Sequence, residues 1–349
     1  MKVLVTGGAG FIGSHVAEYY AQLGEQVTVM DNLSRARLLG KDDKNARYNW
    51  DYLHKYKNIS FVYEDVRYAG ILNTVAEDAD VIIHTAAQTA VTTSLTDPRT
   101  DFEVNLGGTF NVLEAARKSG KRPTVIFCST NKVYGNNVNS IKTTKHYSRY
   151  NFEEGWRHGI PETFPIDGCE HTPYGCSKLA ADLYVQDYAI RNEISAGVFR
   201  MSCIYGTRQF GVEDQGWVAW FCIASLLGKP ITIYGDGRQV RDVLYVSDLV
   251  QAFDAFIQKG KYIGCEVFNM GGGPMNTISL LEHIDLLEEV TGKPRSNVTF
   301  ADWRPSDQQV YISDIRKAET VLNWKPKVTP KAGVRKLVEW LRENEQVFK

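Results

Sequence analysis

The octapeptide TGGAGFIG, Thr6 to Gly13, constrains the fold more than any other stretch. It places Gly7, Gly10 and Gly13 directly behind an apolar run, KVLVT, and at the head of a helical pattern that starts near Phe11. The first glycine permits a tight turn, the second lets backbone N–H groups approach a pyrophosphate, and the third lets helix and strand pack closely. The helix N-terminus favours the negative charge, and Phe11 and Ile12 belong to the same turn. A second apolar run, QVTVM, is followed by Asp31, 18 residues after Gly13, where a carboxylate accepts hydrogen bonds from adenosine ribose hydroxyls and repels a 2′-phosphate. The pattern therefore favours NAD over NADP, with Asn32, Ser34 and Arg35 alongside; Arg35 weakens the preference slightly. A glycine-rich turn that binds no nucleotide is the bland alternative.

Apolar runs alternate with helical patterns through the first two thirds of the chain: KVLVT, QVTVM, ISFVY, DVIIH and TVIFCS, with helices from about Phe11 and from about Phe102 to Arg117. Strands of parallel βαβ sheets are buried on both faces and read as such continuous runs. The expected fold class is α/β, a Rossmann-type doubly wound parallel sheet with a smaller mixed α/β C-terminal lobe. At 349 residues the chain exceeds the roughly 250 to 300 that one core supports. We expect an NAD-binding domain over 1–200 with a polar insertion at about 136–169, and a lobe over 201–349 mainly for the rest of the ligand, some segments returning to the large domain. Asp65 and Val66 behind the third run, and Ala86, Ala87 and Gln88 behind the fourth, sit at strand ends where such sheets bind ligands. They suit the adenine and the pyrophosphate respectively, and suit packing equally well.

Composition excludes several classes. A net charge of -1 and a pI of about 6.7 recruit neither nucleic acid nor an anionic membrane. No apolar run approaches the ~18 residues of a membrane span, and no cleavable leader pattern opens the chain, so a cytoplasmic location is expected. Six cysteines without CxxC spacing fit reduced thiols, and no metal is expected.

HTPYGCSK sets Tyr174 and Lys178 four apart at the start of a long helical pattern, so both side chains share one face. A phenol with a pKa near 10 is a poor base at neutral pH; a nearby ammonium favours the phenolate, and bringing it to about 7 takes about 4 kcal/mol. Thr130, at the end of TVIFCST, is placed to hydrogen-bond a substrate hydroxyl between Tyr174 and a nicotinamide. Taken alone, the tyrosine and lysine also fit an exposed pair on a solvated face.

TGxxGxxG, a Ser-Thr strand end and YxxxK, in that order over essentially the whole chain, resemble the extended short-chain dehydrogenase/reductases that act on nucleotide sugars. The resemblance implies bound NAD(H), catalytic roles for Thr130, Tyr174 and Lys178, a structural mid-helix amide at Asn105 in FEVNLGGT, a C-terminal lobe for the sugar nucleotide, and a homodimer or homotetramer. In the dehydratases of that family the catalytic threonine is followed by Asp and Glu, which eliminate water; here Asn131 and Lys132 follow, which argues against dehydration. No catalytic-cysteine context suggests oxidation to a uronic acid.

The finer runs STNKVYG, DQGW and RPSDQQ resemble the CDP-tyvelose (CDP-paratose) 2-epimerase branch. That implies an NAD-dependent epimerase inverting C2 of a CDP-linked 3,6-dideoxyhexose through a 2-keto sugar. A UDP- or GDP-hexose 4-epimerase needs the same three residues, and a non-catalytic NAD-binding sensor is the alternative from another class. Asn131, Arg208, Gln209, Asp214 and Gln215 are expected near the sugar or nucleotide. Arg241 and Arg304 are expected on the pyrophosphate or a ribose, since guanidinium pairs bidentately with phosphate oxygens. Ordinary salt bridges with Asp242 or Asp307 are their alternative. His84, His171, Trp217 and Trp220 read as structural.

Overall fold

The computed structural model describes residues 1–39, 45–191, 194–294, 297–304 and 307–348. The chain forms two compact units: Met1–Val133, Thr172–Arg200 and Val250–Phe268 make one, and Tyr134–His171, Met201–Leu249 and Asn269–Lys349 make the other.

The first unit is built on β1 (Lys2–Thr6), β2 (Gln26–Asp31), β3 (Ile59–Tyr63), β4 (Val81–His84) and β5 (Thr124–Thr130). They lie in a seven-stranded sheet in the order Cys265–Met270, Ser195–Met201, β5, β4, β1, β2, β3. The pairs β1–β2, β1–β4, β2–β3 and β4–β5 are all parallel. Every residue of β4 and β5 is buried, which is why their sequences show no polar alternation. The winding reverses between β1 and β4, and the carboxyl ends of those two strands form the crevice where sheets of this kind take ligands. One core cluster gathers Leu4, Ile82, Val125 and Phe127 of the sheet with Val112 and Val185 of covering helices. Truncating Phe127 to alanine there would cost about 3–5 kcal/mol.

The helix read from about Phe102 to Arg117 is not a regular α-helix throughout. Pro98–Phe102 runs into a π turn over Glu103–Gly107 before the α-helix Gly108–Lys118. Asn105 sits inside that turn and is wholly buried.

In the second unit the strand Val240–Tyr245 is central. It pairs antiparallel with Thr277–Ser279 and parallel with Val310–Tyr311 and Cys203–Tyr205. The GWVAWFCIASLLG run is the helix Trp217–Leu227, bounded by Gly216 and Gly228, both left-handed. The helix Leu280–Thr291 opens with a capping box in which Ser279 and Glu282 satisfy each other's backbone N–H groups. The polar insertion carries a hairpin, Thr143–Lys145 against Tyr150–Phe152, pinned where Tyr150 N–H donates to Arg238 O at 2.9 Å. Among the described residues no helix is long and apolar enough to cross a membrane.

Candidate active site

The glycine turn behind β1 shows three different uses of a missing side chain. Gly7 has φ +69°, and a Cβ there would lie 2.5 Å from Ala86 N. A Cβ on Gly13 would lie 2.2 Å from Gly7 O, so any larger residue would push the helix Phe11–Gln22 (α1) off β1. Gly10 differs, because its Cβ would meet only Gly7 O, at 3.0 Å, leaving the outer side of the turn open. Gly10 is also the N-cap of α1, with no side-chain cap and no acid in the first turn. A cradle that a side chain would fill, beside first-turn N–H groups of Phe11 and Ile12, fits a dinucleotide pyrophosphate.

Asp31 stands at the end of β2 and accepts Ala9 N–H at 2.9 Å and Leu33 N–H at 2.7 Å. Burial pushes its carboxyl above the ordinary range, and these backbone donors oppose the push. Asn32 donates to Asp65 at 2.7 Å and accepts Ser34 N–H at 3.0 Å, while Arg67 forks onto Asp65 at 3.0 and 2.8 Å. Burial acts to raise Asp65, but the Arg67 and Asn32 hydrogen bonds together hold it below the usual carboxylate range. Desolvation pulls the Arg35 guanidinium down to about 10. The structure thus brings Asp31, Asn32, Ser34 and Asp65 together. Gln88 it commits elsewhere: both backbone groups bond Asn105, and its side chain bonds Ala90 and Asp101.

The second part of the site starts with the helix Pro173–Ile190. Thr172 caps it by accepting Gly175 N–H, and Pro173 at the first position has the helical φ built in. Its buried stripe runs Lys178, Ala181, Asp182, Val185 and Ala189, a helical period, so the ammonium of Lys178 is carried into the interior, 3% exposed. There its Nζ lies 4.3 Å from the Phe127 ring centroid, and burial lowers it to about 8. Ser129 and Arg200 both bond Asp182, at 2.7 Å and at 3.0 and 3.2 Å, fastening the end of β5 to this helix. That connection sets Thr130, whose hydroxyl accepts Lys132 N–H at 3.2 Å and acts to lower the Tyr174 phenol.

Tyr174 differs from the sequence-based expectation. Desolvation raises the phenol of this half-buried residue to about 12; Thr130 opposes this, and the negative charge of Asp101 reinforces it. His84 is enclosed between Thr6 at 2.6 Å and Thr109 at 3.0 Å; burial, then Lys178, drives it down to about 3, so it stays neutral.

In the second unit, Arg304 bonds Asp214 and the carbonyl of Glu213, both at 3.1 Å, and lies on the Tyr234 ring at 4.1 Å. Arg241 bonds Asp307 at 2.6 Å. Arg241 thus takes one of the two carboxylates named as its alternative, while Arg304 pairs with neither; Asp242 is buried and accepts Ser202 at 2.6 Å and the N–H groups of Gly273 and Ser313. Arg304 and Asp307 line a cavity of about 470 Å³ with Asn136, Asn139, Glu170 and Trp303, none of which the sequence reading had singled out for it. Arg208 and Gln209 are buried, Arg208 at φ +57°; Gln209 donates to Ile204 O. Gln215 closes a two-way backbone turn with Val212 that carries Asp214 to Arg304. Pro305 and Ser306 of the RPSDQQ run lie outside the described residues.

Residues 3–271 match the model of the NAD dependent epimerase/dehydratase family. Across 347 residues the chain is 40% identical to the CDP-paratose 2-epimerase of Salmonella typhi, covering 97% of this chain and 99% of that one. It is 30% identical to a UDP-glucuronate 4-epimerase of Thermodesulfobacterium geofontis, over 99% of this chain and 98% of that one. Among solved structures, the UDP-glucuronic acid 4-epimerase of Bacillus cereus, in complex with UDP-glucuronic acid and NAD, superimposes with a TM-score of 0.82 at 28% identity, over 99% of this chain and all of that one.

Proposed function

The chain belongs to the NAD dependent epimerase/dehydratase family and is an enzyme of that family with NAD as its cofactor; within it, we propose a nucleotide-sugar 2-epimerase acting on a CDP-linked 3,6-dideoxyhexose. One observation carries this reading: Tyr174, under the influence of Thr130, shares a helix with the buried Lys178, while Asn131 and Lys132 stand where a dehydratase has two acids. The 40% identity to a CDP-paratose 2-epimerase supports the choice of C2 and of the base.

At C2 of such a sugar the neighbours are the acetal carbon and C3, so no carbonyl makes the C2 hydrogen acidic. Deprotonation is excluded, and hydride removal is the available route. When bound, the nicotinamide supplies the hydride acceptor and a positive charge. The chain's own residues do the rest. Thr130 orients the C2 hydroxyl, and Tyr174 Oη takes its proton as the C2 hydride leaves, giving a 2-keto sugar. Lys178 provides the cation that the raised phenol needs. The sugar then presents its other face, the hydride returns to C2, and Tyr174 gives its proton back to the oxygen. The proposed nucleotide contacts are Arg304 and Arg241, with Asn131, Arg208, Gln209 and Gln215 toward the sugar or nucleotide. Gly7, Gly10, Phe11, Ile12, Gly13 and Asp31 are the proposed cofactor contacts.

The test is to incubate the enzyme separately with CDP-paratose, CDP-glucose, UDP-glucose and GDP-mannose and to follow the sugar ring protons by NMR. Inversion at C2, fastest with CDP-paratose, is expected. Inversion at C4 would overturn the position and leave the Tyr174 chemistry standing, in keeping with the 4-epimerases among the relatives.

A further inference from the structure

Beneath the helix that carries Tyr174 and Lys178 lies a carboxylate the mechanism above does not use. Asp101 is 0% exposed. Three donors converge on it: Ser177 Oγ on Oδ1 at 2.5 Å, and Gln88 Nε2 and Asn105 Nδ2 on Oδ2 at 2.9 and 3.0 Å. Asn105 Nδ2 also reaches Ser177 Oγ at 3.2 Å, which closes the net. Two amide donors and a hydroxyl favour the ionised carboxylate, and burying that charge is expensive. Burial pushes this carboxyl up, while Ser177, Gln88 and Lys178 oppose the push.

The net touches the reactive pair directly, since Ser177 adjoins Lys178 and its hydroxyl lies 3.1 Å from Tyr174 O. The negative charge of Asp101 raises both Lys178 and Tyr174. The other titratable groups acting on these residues are few. Cys128 on β5 is pushed up to about 12 and His84 at the end of β4 down to about 3, so both are neutral at working pH. Asp182, on the same helix, is bonded to Arg200, and Asp97 precedes Asp101 by one turn and caps its own helix.

We propose, on the reading that Tyr174 is the base and Lys178 its cationic partner, that Asp101 is a positioning residue: through Ser177 and Asn105 it holds an interior negative charge that balances Lys178 and sets the pH range in which the pair works. It does not meet the substrate.

Asp101→Asn tests this, because the net can accept the amide. Its Oδ1 can keep the Gln88 and Asn105 donors, and its NH₂ can donate to Ser177, whose own proton turns to Tyr174 O. Removing the charge makes the phenolate easier to form and Lys178 easier to deprotonate. Both limbs of the pH–turnover curve should therefore move to lower pH, by about half a pH unit or more. A second readout needs no turnover. With ¹³Cζ-labelled tyrosine, the Tyr174 resonance, assigned by its loss in Tyr174→Phe, should titrate at lower pH in Asp101→Asn. Limbs and titration unmoved in Asp101→Asn, whatever the height of the curve, would overturn the proposal. If Asp101→Asn does not fold, Asp101→Ser, which leaves room for a water among the same donors, gives the same decision. Wild-type turnover in Tyr174→Phe would instead sink the base assignment, and the NMR titration would still decide what Asp101 does.

Discussion

The surroundings of Tyr174 and the arginine cluster of the second unit treat charge in opposite ways. Around Tyr174 the groups are dry: Lys178 and Thr130 are 3% and 7% exposed, and burial moves the phenol up and the ammonium down. In the cluster, Arg304 and Asp214 keep 27% and 38% of their side-chain surface in solvent. Such half-wet pairs contribute only about 0–1 kcal/mol, so a guanidinium can exchange its carboxylate for a phosphate at little cost. The contrast teaches a division of labour. Proton transfer needs groups whose energies the interior has displaced, whereas holding an anion needs partners that can be replaced.

The strongest way to break this contrast is to remove the phenol. Tyr174→Phe should lower kcat by at least about 100-fold with folding and NAD content unchanged, and a near wild-type rate would refute the dry-site assignment. The next effect falls on the wet side: Arg304→Ala should raise KM for the nucleotide sugar by about tenfold and leave kcat within a few-fold. Arg304→Lys should restore only part, because a point charge lacks the fork. A fall in kcat at constant KM would reverse the division.

The pH profile sharpens the comparison further. Lys178, lowered to about 8, is protonated below that pH and neutral above it, so turnover should decline as pH rises through about 8. A flat profile from pH 7 to 9 would show that its charge is not needed. The smallest expected effect is structural: Thr172→Ala, losing the cap ahead of Tyr174, should lower stability by about 1 kcal/mol in a urea titration.

Much of the dry half was legible in the chain. Gly7 and Gly13 announce a strand, a turn and a helix because the backbone geometry there admits nothing larger, and the four-residue spacing of Tyr174 and Lys178 fixes a shared helix face. The NAD cofactor, the fold class and the family were likewise readable. What was hidden depends on long-range packing. The phenol's upward displacement could not be read, because it arises from desolvation and from the charge of Asp101, a residue distant in sequence. Asp101 left one faint sign, an acid four residues ahead of Asn105 in DPRTDFEVN, yet only the fold reveals that it is buried. The pairing of Arg304 with Asp214, 90 residues away in the chain, was equally unreadable, since Asp242 and Asp307 were the carboxylates that sequence proximity suggested.

The π turn at Glu103–Gly107 makes the length of this segment as important as its chemistry. A helix is a screw, and one residue more or less rotates everything on the far side by roughly 100°. Deleting Leu106 alone would leave Asp101, Asn105 and every donor they use in the chain. It would nevertheless turn Asp101 away from Ser177. The spacing between these residues is thus a register mark, and natural insertions or deletions should skip this turn even where substitutions at the open position Gly107 are accepted.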